Sequence, residues 1–417
     1  MRITPIPEPK RYNVLRFGVL GDGSTDDTTA IHALRDLAGN GATLVFPPNT
    51  YVTTGLTNNV ANQTWELHPG ATIYLKNASN QHVVQVTGAG AVLEGGTVNA
   101  NKANQSVDKA GVTLGANGAR IERVAVLNGG TYGIYGYNAN RLSIRGCSVT
   151  DSDDTGIFVG ASSAAAADVL DIEVAFNRVD RSAIAAASVV GPGIQVRGYT
   201  SGIHGNEGAR IVGNVVRMPA DPTSDTAIGI ECSNLADRPV VQGNVVWGGS
   251  IGISMSSVTA PSVTGNTVYN ADLYGLEAAG CAYGTFSGNT VVGNALTANG
   301  ISASQSAGKY NAFVGNTISG LTGDGIKIQS NEYCTVSANI VEQTVSSYAI
   351  NIVSSDYCTI TGNQLTGAST ATKGIILDTS TGGSISGNVI KDFTENAVLL
   401  YVASAVTLDD ITISGNV

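Results

Sequence analysis

The chain has 417 residues, of which 42% are hydrophobic, 13% are charged and 52 are glycine. The apolar content excludes a disordered linker in spite of the abundant glycine. The formal net charge of −10 argues against binding to a nucleic-acid backbone. No stretch reaches the roughly 18 apolar residues of a membrane helix, so we expect neither a nucleic acid nor a membrane as partner.

The first predicted elements are a strand, a turn rich in glycine and aspartate, and a helix. Residues 24–27 are candidate N-caps, and Ile31, Leu34 and Leu37 form the apolar stripe of the helix. A stack of strands would present unpaired strand edges at its open end. We therefore predict that residues 1–41, a strand and a helix, cap a second part formed by residues 42–417. The first residues, MRITPIPEPKRY, contain no apolar core, so no signal peptide is visible.

From residue 42 onward the sequence contains short alternating strands and a repeated phrase in which glycine and asparagine precede an apolar residue. A second phrase, Gly-Ile followed by an alternating strand, recurs from residues 133–134 to residues 374–375. The asparagines of the first phrase are 22 to 30 residues apart: Asn214, Asn244, Asn266, Asn289, Asn316, Asn339, Asn363, Asn388 and Asn416. A period of this length without an intervening helix predicts a coil of strands, an all-β solenoid.

Equivalent residues of successive coils should stack on one another. We expect the asparagines to form a hydrogen-bonded ladder and to adopt the left-handed conformation of a sharp bend. A second ladder is predicted from an aromatic position that recurs six residues before the asparagine: Tyr283, Tyr310, Tyr333 and Tyr357. Cys334 and Cys358 also occupy equivalent places, and we interpret them as stacked interior thiols, with a disulfide as the alternative.

These repeats, together with FGVLGDGSTDDTTAI at residues 17–31, resemble the right-handed parallel β-helix superfamily of pectate lyases and polygalacturonases. The N-terminal phrase is similar to the branch that contains phage tailspikes and mannuronan epimerases. The resemblance implies an all-β, single-stranded right-handed parallel β-helix with an N-terminal helical cap. It further implies a polysaccharide partner and an extracellular or virion-associated location, and the homotrimer of tailspikes carries over as an expectation.

In each Gly-Ile strand the isoleucine should point inward and the next residue outward. The outward residues up to position 231 are mostly bulky or charged, whereas most later ones are small and polar. Three insertions fall beside the bulky ones, at residues 161–168, 181–192 and around 202–207. We therefore predict a glycan-binding groove, in which the following residues contact the substrate: Tyr135, Tyr137, Phe158, Gln195, His204, Glu207 and Glu277.

An aspartate cluster lies just before one of the outward strands. Paired carboxylates suit glycoside hydrolysis, and the phrase resembles the Asp-Asp motif of polygalacturonases. The leading hypothesis is cleavage of glycosidic bonds with Asp153 or Asp154 as one partner and Glu231 as the other. The structural alternative is an aspartate-rich turn at a bend. No cofactor is required and no metal site is predicted, although the cluster offers oxygen ligands that calcium prefers.

Two other functions stay open. A uronate lyase or epimerase would use Lys109, Tyr132 and Arg197, because the epimerases' Tyr-Gly-Phe-Asp-Pro-His signature falls on residues 132–137. Tyr132 matches that signature, but Tyr135 and Tyr137 stand where it has Asp and His. Arg197 would neutralise a substrate carboxylate, or form a surface salt bridge with Glu231. The other alternative is a non-enzymatic glycan-binding protein or structural phage tailspike.

Overall fold

A computed structural model describes the protein in the following ranges: 10–161, 169–181, 191–198, 206–219, 227–234, 236–294, 297–305, 308–343, 347–368, 373–401 and 410–417. The chain forms two compact units, the first ending at Arg178 and the second beginning at Val179. Both are right-handed parallel β-solenoids, which confirms the predicted fold class. The predicted division between residues 1–41 and 42–417 stays a prediction.

Each coil contributes strands to two sheets. The sheet that carries the Gly-Ile phrase is called the Gly-Ile sheet, and the other, whose strands flank the bends with the asparagines, is called the bend sheet. In the first unit the Gly-Ile sheet consists of Leu56–Asn58, Val84–Val86, Val112–Leu114, Tyr132–Tyr137 and Thr155–Gly160. The bend sheet there consists of Arg11–Asn13, Asp22–Asp26, Thr43–Phe46, Thr50–Thr53, Thr64–Leu75, Val92–Asn99, Arg120–Glu122, Ala125–Leu127, Ser143–Arg145, Ser148–Thr150 and Glu173–Ala175.

The second unit repeats the arrangement. Its Gly-Ile strands are Ile194–Arg197, Ile228–Ser233, Ile251–Ser256, Tyr274–Ala279, Asn299–Ser304, Ile326–Gln329, Tyr348–Val353, Lys373–Asp378 and Asn396–Tyr401. Its bend-sheet strands are Arg210–Val212, Val215–Arg217, Val240–Gln242, Val245–Trp247, Ser262–Thr264, Thr267–Tyr269, Thr285–Ser287, Thr290–Val292, Ala312–Val314, Thr317–Ser319, Thr335–Ser337, Ile340–Gln343, Cys358–Thr361, Gln364–Gly367, Gly383–Ser386, Val389–Lys391 and Ile411–Ser414. The strand Arg178–Asp180 lies at the boundary of the units, and Val169–Leu170, Asn206–Glu207 and Ala236–Asp237 are short additional strands.

The predicted cap helix runs from Thr28 to Ala38 and is the one α-helix of the described residues, beside the 3-10 helices Val14–Phe17 and Lys102–Asn104. Ile31 and Leu34 are buried as predicted, but Leu37 is 69% exposed and Ala38 takes its place. A helix repeats every 3.6 residues, so position 38 stays on the buried face and position 37 turns away. No helix among the described residues is long and apolar enough to cross a membrane.

Two side chains of the helix, His32 and Arg35, form hydrogen bonds with the backbone of Thr57 and so fix the helix to the first coils. The Thr57 amide donates to His32 Nε2 at 3.0 Å, and Arg35 Nη1 donates to the Thr57 carbonyl at 2.6 Å. Among the candidate N-caps, Asp27 takes the N-cap position without a side-chain cap bond. Its carboxylate instead accepts the amides of Leu20 and Gly21, at 2.7 and 3.0 Å, and so ties the preceding turn to the helix.

The predicted asparagine ladder is confirmed in the second unit. Each interior asparagine is buried, and its Nδ2 donates both to the Oδ1 of the next asparagine and to a carbonyl of the preceding coil, as Asn316 does to Asn339 and Phe286 at 2.9 and 3.0 Å. The expected left-handed conformation of the asparagine is wrong. The residue before it has the positive φ, such as Gly315 at 65° and Ala338 at 55°. Glycine supplies that conformation at little steric cost, which leaves the asparagine side chain free to point inward.

The stacked tyrosines and the free thiols are also present. Tyr283, Tyr310, Tyr333 and Tyr357 stack with centroid distances of 5.2, 4.9 and 4.9 Å along the series. All four are partly exposed and have φ between 55° and 59°. The five cysteines of the chain are buried and unpaired by disulfides, including Cys334 and Cys358, as interpreted from the sequence. Burial raises the pKa of the Cys147 and Cys281 thiols to about 12, so both stay protonated.

Candidate functional site

Four aromatic side chains form a continuous patch on the Gly-Ile sheet of the first unit, which we call the aromatic surface. Tyr135 stacks on both Tyr132 and Tyr137, with centroid distances of 4.8 and 4.9 Å. Phe158 lies on the next strand, opposite Tyr135 in the strand register, 5.4 Å from its ring and 5.3 Å from that of Tyr132. The tyrosines are half-buried, whereas Phe158 is 8% exposed. Of the predicted substrate contacts, three therefore lie together here.

The aspartate cluster lies at the bend that leads into the strand of Phe158. The amides of Asp153 and Asp154 donate to the carbonyls of Gly130 and Thr131, at 2.9 and 3.1 Å, so the bend is fixed to the preceding coil. Thr155, directly after Asp154, is opposite Tyr132 in the register. The backbone of the aspartate cluster therefore borders the strand of the aromatic surface on the side of Tyr132.

Lys102 also belongs to this site, although nothing in the sequence pattern pointed to it. It begins the short 3-10 helix, and its Nζ donates to Asp153 Oδ1 at 2.5 Å and to the Asp151 carbonyl at 2.8 Å. The Lys102 side chain is 27% exposed and that of Asp153 is 52% exposed. An ion pair this exposed adds at most about 1 kcal/mol to stability. Its consequence is positional, because it orients one carboxylate of the cluster.

Lys109 lies beside Tyr132 in the neighbouring coil. The amide of Gly130 donates to the Lys109 carbonyl at 2.9 Å, and the amide of Gly111 donates to the Tyr132 carbonyl at 3.1 Å. Lys102, Lys109 and Gly130 line one small pocket. His82 Nδ1 accepts the Ala110 amide at 3.0 Å and so fixes the backbone next to Lys109. The first unit therefore brings together Lys109, Tyr132 and the aspartate cluster.

The candidates of the second unit form an outward polar column on its Gly-Ile sheet. Gln195 Nε2 donates to Glu231 Oε2 at 2.7 Å, and Ser254 Oγ donates to Glu277 Oε2 at 2.6 Å. In the register Glu231 faces Ser254 and Ser254 faces Glu277, so these residues lie in one row, in which Gln195 and Ser254 are buried and the two glutamates are half-buried. Hydroxyl, amide and carboxylate groups thus alternate along it, and all of these can bond sugar hydroxyls.

The remaining candidates are placed less favourably. Arg197 is exposed and is opposite Ser233, while Glu231 bonds Gln195, so the expected salt bridge between Arg197 and Glu231 is not among the ion pairs of the described residues. Glu207 pairs with Arg238 at 3.1 Å on the exposed surface. His204 and most of the three predicted insertions lie outside the described residues.

The two halves of the leading catalytic hypothesis lie in different units. Asp153 and Asp154 belong to the first unit, and Glu231 and Arg197 to the second. Their pairing in one site therefore stays a prediction. Within the described residues no group of three or more His, Cys, Asp or Glu side chains is arranged to hold a metal. The ammonium of Lys102 bonds one oxygen of the aspartate cluster, and the expectation of calcium stays a prediction.

A family model described as the right-handed β-helix region matches residues 49–318, which is more than half of the chain. The protein therefore belongs to the right-handed β-helix family, as the repeats predicted. A second model, the periplasmic copper-binding protein (NosD), matches residues 320–417. That segment contains no histidine or methionine, and its two cysteines are buried. These residues do not supply the donors of a copper centre, so no copper chemistry is assigned to them.

Solved structures share the fold at low sequence identity. Tailspike protein 3 of bacteriophage CBA120 aligns with 97% of this chain and 61% of its own, at 12% identity and a TM-score of 0.62. The catalytic unit of an α-1,3-glucanase from Streptomyces thermodiastaticus aligns with 99% of this chain and 70% of its own, at 14% identity and a TM-score of 0.56. A mannuronan C-5 epimerase module of Azotobacter vinelandii aligns over 97% and 98%, at 18% identity and a TM-score of 0.47.

This chain spans 58% of a Geobacillus virus E2 protein and 61% of tailspike protein 3, which is less than two thirds of either. No curated protein matches it significantly. The likenesses to the tailspike and the glucanase establish the fold.

Proposed function

We propose that the protein is a polysaccharide-processing enzyme that binds an extended glycan along the Gly-Ile sheet and cleaves its glycosidic bonds. The observation that carries this proposal is the aromatic surface of the first unit with the aspartate cluster at its border. The exposed edges of the stacked tyrosine rings can contact the apolar faces of sugar rings, and the flanking polar groups can orient hydroxyls. The similar glucanase and tailspike structures are consistent with a glycan-related function for this fold. They identify no site residue in this chain.

The proposed chemistry is acid–base hydrolysis by two carboxyl groups. One carboxylic acid protonates the leaving glycosidic oxygen, and one carboxylate attacks the anomeric carbon or activates a water molecule. Asp153, held by Lys102, suits the charged role, and Asp154 beside Tyr132 suits the acid. The alternative assignment, with Asp153 or Asp154 as one partner and Glu231 as the other, remains part of the proposal.

A second candidate function is a uronate lyase or epimerase. The observation that favours it is the position of Lys109 beside the strand of Tyr132, with Lys102 in the same pocket. A lysine ammonium can bind a uronate carboxylate, and a tyrosine or lysine can abstract the proton on the adjacent carbon. For a lyase, the electron pair of that C–H bond forms the new double bond and the glycosidic oxygen leaves. Arg197 would neutralise the carboxylate of another uronate residue of the glycan.

A third candidate is a non-enzymatic glycan-binding protein or a structural phage tailspike, which would use the same surface without turnover. In any of these roles we infer an extracellular or virion-associated protein, and a homotrimer in the tailspike role. The solution mass, measured by light scattering, tests the trimer. A monomer would remove it and leave the glycan-binding surface unaffected.

The experiment that tests the proposal is a comparison of conservative amide variants on a screen of neutral and anionic polysaccharides. Asp153→Asn and Asp154→Asn should each reduce the release of reducing ends by about 100-fold or more, since acid–base groups contribute that much. Glu231→Gln tests the second carboxylate. Glu173→Gln is the matched control, because Glu173 is a partly exposed carboxylate of the bend sheet that pairs with Arg145. Full activity in Asp153→Asn and Asp154→Asn would contradict the hydrolase.

Lys109→Met and Tyr132→Phe separate the two chemistries. They should abolish an unsaturated, ultraviolet-absorbing product if the protein is a lyase. If the protein is a hydrolase, no such product forms in the wild type. Binding of a glycan without either product and without inversion of its uronate residues, as read by nuclear magnetic resonance of the recovered polymer, would assign the non-enzymatic role.

A further inference from the structure

A cleft on the bend sheet of the first unit lies apart from every residue used above. It is an open cleft of about 500 Å³, lined by two carboxylates, an imidazole, a guanidinium and a glycine floor. The residues that matter to its chemistry are Glu66, His68, Glu94, Gly95, Gly96 and Arg123. They belong to the strands Thr64–Leu75 and Val92–Asn99 and to the bend that follows Arg120–Glu122.

The cleft arises from a shift in the strand register. Leu67 pairs with Gly95 and Thr72 pairs with Thr97, so four residues of one strand, 68–71, oppose the single residue 96 of the other. The three extra residues stand out as a wall. Gly95 and Gly96 form the floor of the cleft and have φ of 72° and 59°. A Cβ on Gly95 would lie 2.3 Å from the Leu67 carbonyl oxygen, so there is no room for a side chain at this position. The register shift and the two glycines therefore produce the cleft at a place where regular coils have a simple bend.

The polar groups around the cleft are held in place by ion pairs. Arg11 Nη2 donates to both Glu66 oxygens at 2.9 and 2.7 Å, and His68 Nε2 lies 3.4 Å from Glu66 Oε1. Arg123 pairs with Glu94, and its Nη1 lies 3.5 Å from Glu122 Oε2. Because each side chain is already oriented, a ligand would not have to order it on binding.

The donors and acceptors match sugar hydroxyls. The side chains of Glu66 and Glu94 are 26% and 34% exposed, so their carboxylates can still accept hydrogen bonds from the cleft. The guanidinium of Arg123 and the imidazole of His68 can donate. A hydroxyl both donates and accepts, whereas a carboxylated sugar would bring a negative charge beside two carboxylates.

We propose that this cleft binds a neutral sugar residue, at a second glycan site separate from the Gly-Ile sheet. The choice of a glycan as ligand rests on the proposed function. A second site on the same chain would raise the avidity for a long polymer without changing the turnover of a short one. It would therefore appear in the KM for polymer and not in kcat.

The test uses the full chain and calorimetric titration with a panel of neutral oligosaccharides and their carboxylated counterparts. The background variant Tyr135→Ala weakens the groove, so that binding at the cleft remains. On this background, Arg123→Ala should weaken neutral-sugar binding at least about tenfold, since hydrogen bonds to charged groups contribute that much. Arg145→Ala, which removes an exposed arginine that pairs with Glu173, is the matched control and should change nothing. If the thermal midpoint of Arg123→Ala equals that of its Tyr135→Ala background, the fold is intact. If the midpoint is lower, His68→Ala is used in place of Arg123→Ala.

Four results would overturn the second site: no binding of any neutral sugar by Tyr135→Ala, equal affinity of the Arg123→Ala and Arg145→Ala variants, equal affinity of His68→Ala and Arg145→Ala, or preference for carboxylated sugars. These results are independent of turnover. Loss of neutral-sugar binding in Tyr135→Ala with intact cleavage by the wild type removes the cleft and leaves the proposed function. Binding of a neutral sugar at the cleft without cleavage of any polysaccharide removes the proposed cleavage and leaves the cleft as a binding site.

Discussion

The asparagine ladder offers the sharpest test of how the solenoid is stabilised. Asn316 is buried in the middle of it and makes four side-chain hydrogen bonds. Its Nδ2 donates to the Phe286 carbonyl and to Asn339 Oδ1, at 3.0 and 2.9 Å. Its Oδ1 accepts the backbone amide and the Nδ2 of Asn289, both at 3.0 Å. Asn316→Ala removes all four bonds at once.

The cost can be worked out partner by partner. Asn339 Oδ1 keeps the Asn316 backbone amide, and Asn289 Nδ2 keeps the Val263 carbonyl. The Asn289 amide and the Phe286 carbonyl lose this partner inside a dry core. Two such buried groups cost about 1–3 kcal/mol each, so we expect the free energy of unfolding to fall by about 2–6 kcal/mol.

The assay is equilibrium urea unfolding followed by circular dichroism, with the stability change taken from the midpoint at constant slope. The matched control is Asn416→Ala, at the partly exposed last rung, where Asn416 donates to the Ile385 carbonyl at 3.1 Å. We expect a loss there of less than about 1.5 kcal/mol, because water can reach the freed groups. A loss below about 1 kcal/mol for Asn316→Ala, or equal losses for the two variants, would refute the reasoning.

Two further predictions concern backbone strain and pH. Tyr333 has a φ of 55°, so Tyr333→Gly should be at least as stable as Tyr333→Ala in thermal unfolding, because glycine tolerates this conformation; a clearly less stable glycine variant would contradict this. Burial, and for His82 also the charge of Lys109, lowers the pKa of His32 and His82 below the ordinary 6.5. The unfolded chain then binds protons more readily, so these histidines contribute stability above pH 6.5 that is lost as the pH falls below that value. The thermal midpoint should fall between pH 7.5 and 5.5, and by less in His82→Gln; an equal fall would exclude His82.

The repeating residues predicted most of the fold because every coil places equivalent residues in equivalent environments. Nine asparagines in register defined the period, and the Gly-Ile phrase defined which residues face outward. The errors occurred where local geometry departs from the repeat. Leu37 was assigned to a buried face that a helix of 3.6 residues per turn gives to Ala38. The left-handed conformation belongs to the residue before each asparagine, which is glycine in most coils and Ala338 before Asn339, since asparagine also has to bond inside the core.

The site was predicted less completely, for a physical reason. Lys102 contacts Asp153 from 51 residues away, and that contact depends on the path of a non-repeating segment around the 3-10 helix. The cleft at Glu66 and Glu94 depends on a register shift between two strands, which no composition or spacing reveals. By contrast Tyr135 and Phe158 were found because they occupy the outward positions of the repeat, and Tyr132 was found through the resemblance to the epimerase signature.

Cleavage of a polysaccharide at the aromatic surface is the central claim, and one measurement tests it most directly. Wild type and Asp154→Asn are incubated with the same panel of neutral and anionic polysaccharides, and both new reducing ends and ultraviolet absorbance are recorded. We expect new reducing ends without an absorbing product from at least one polysaccharide, and their loss in Asp154→Asn. Equal release by the two proteins, or no release from any polysaccharide, would contradict it.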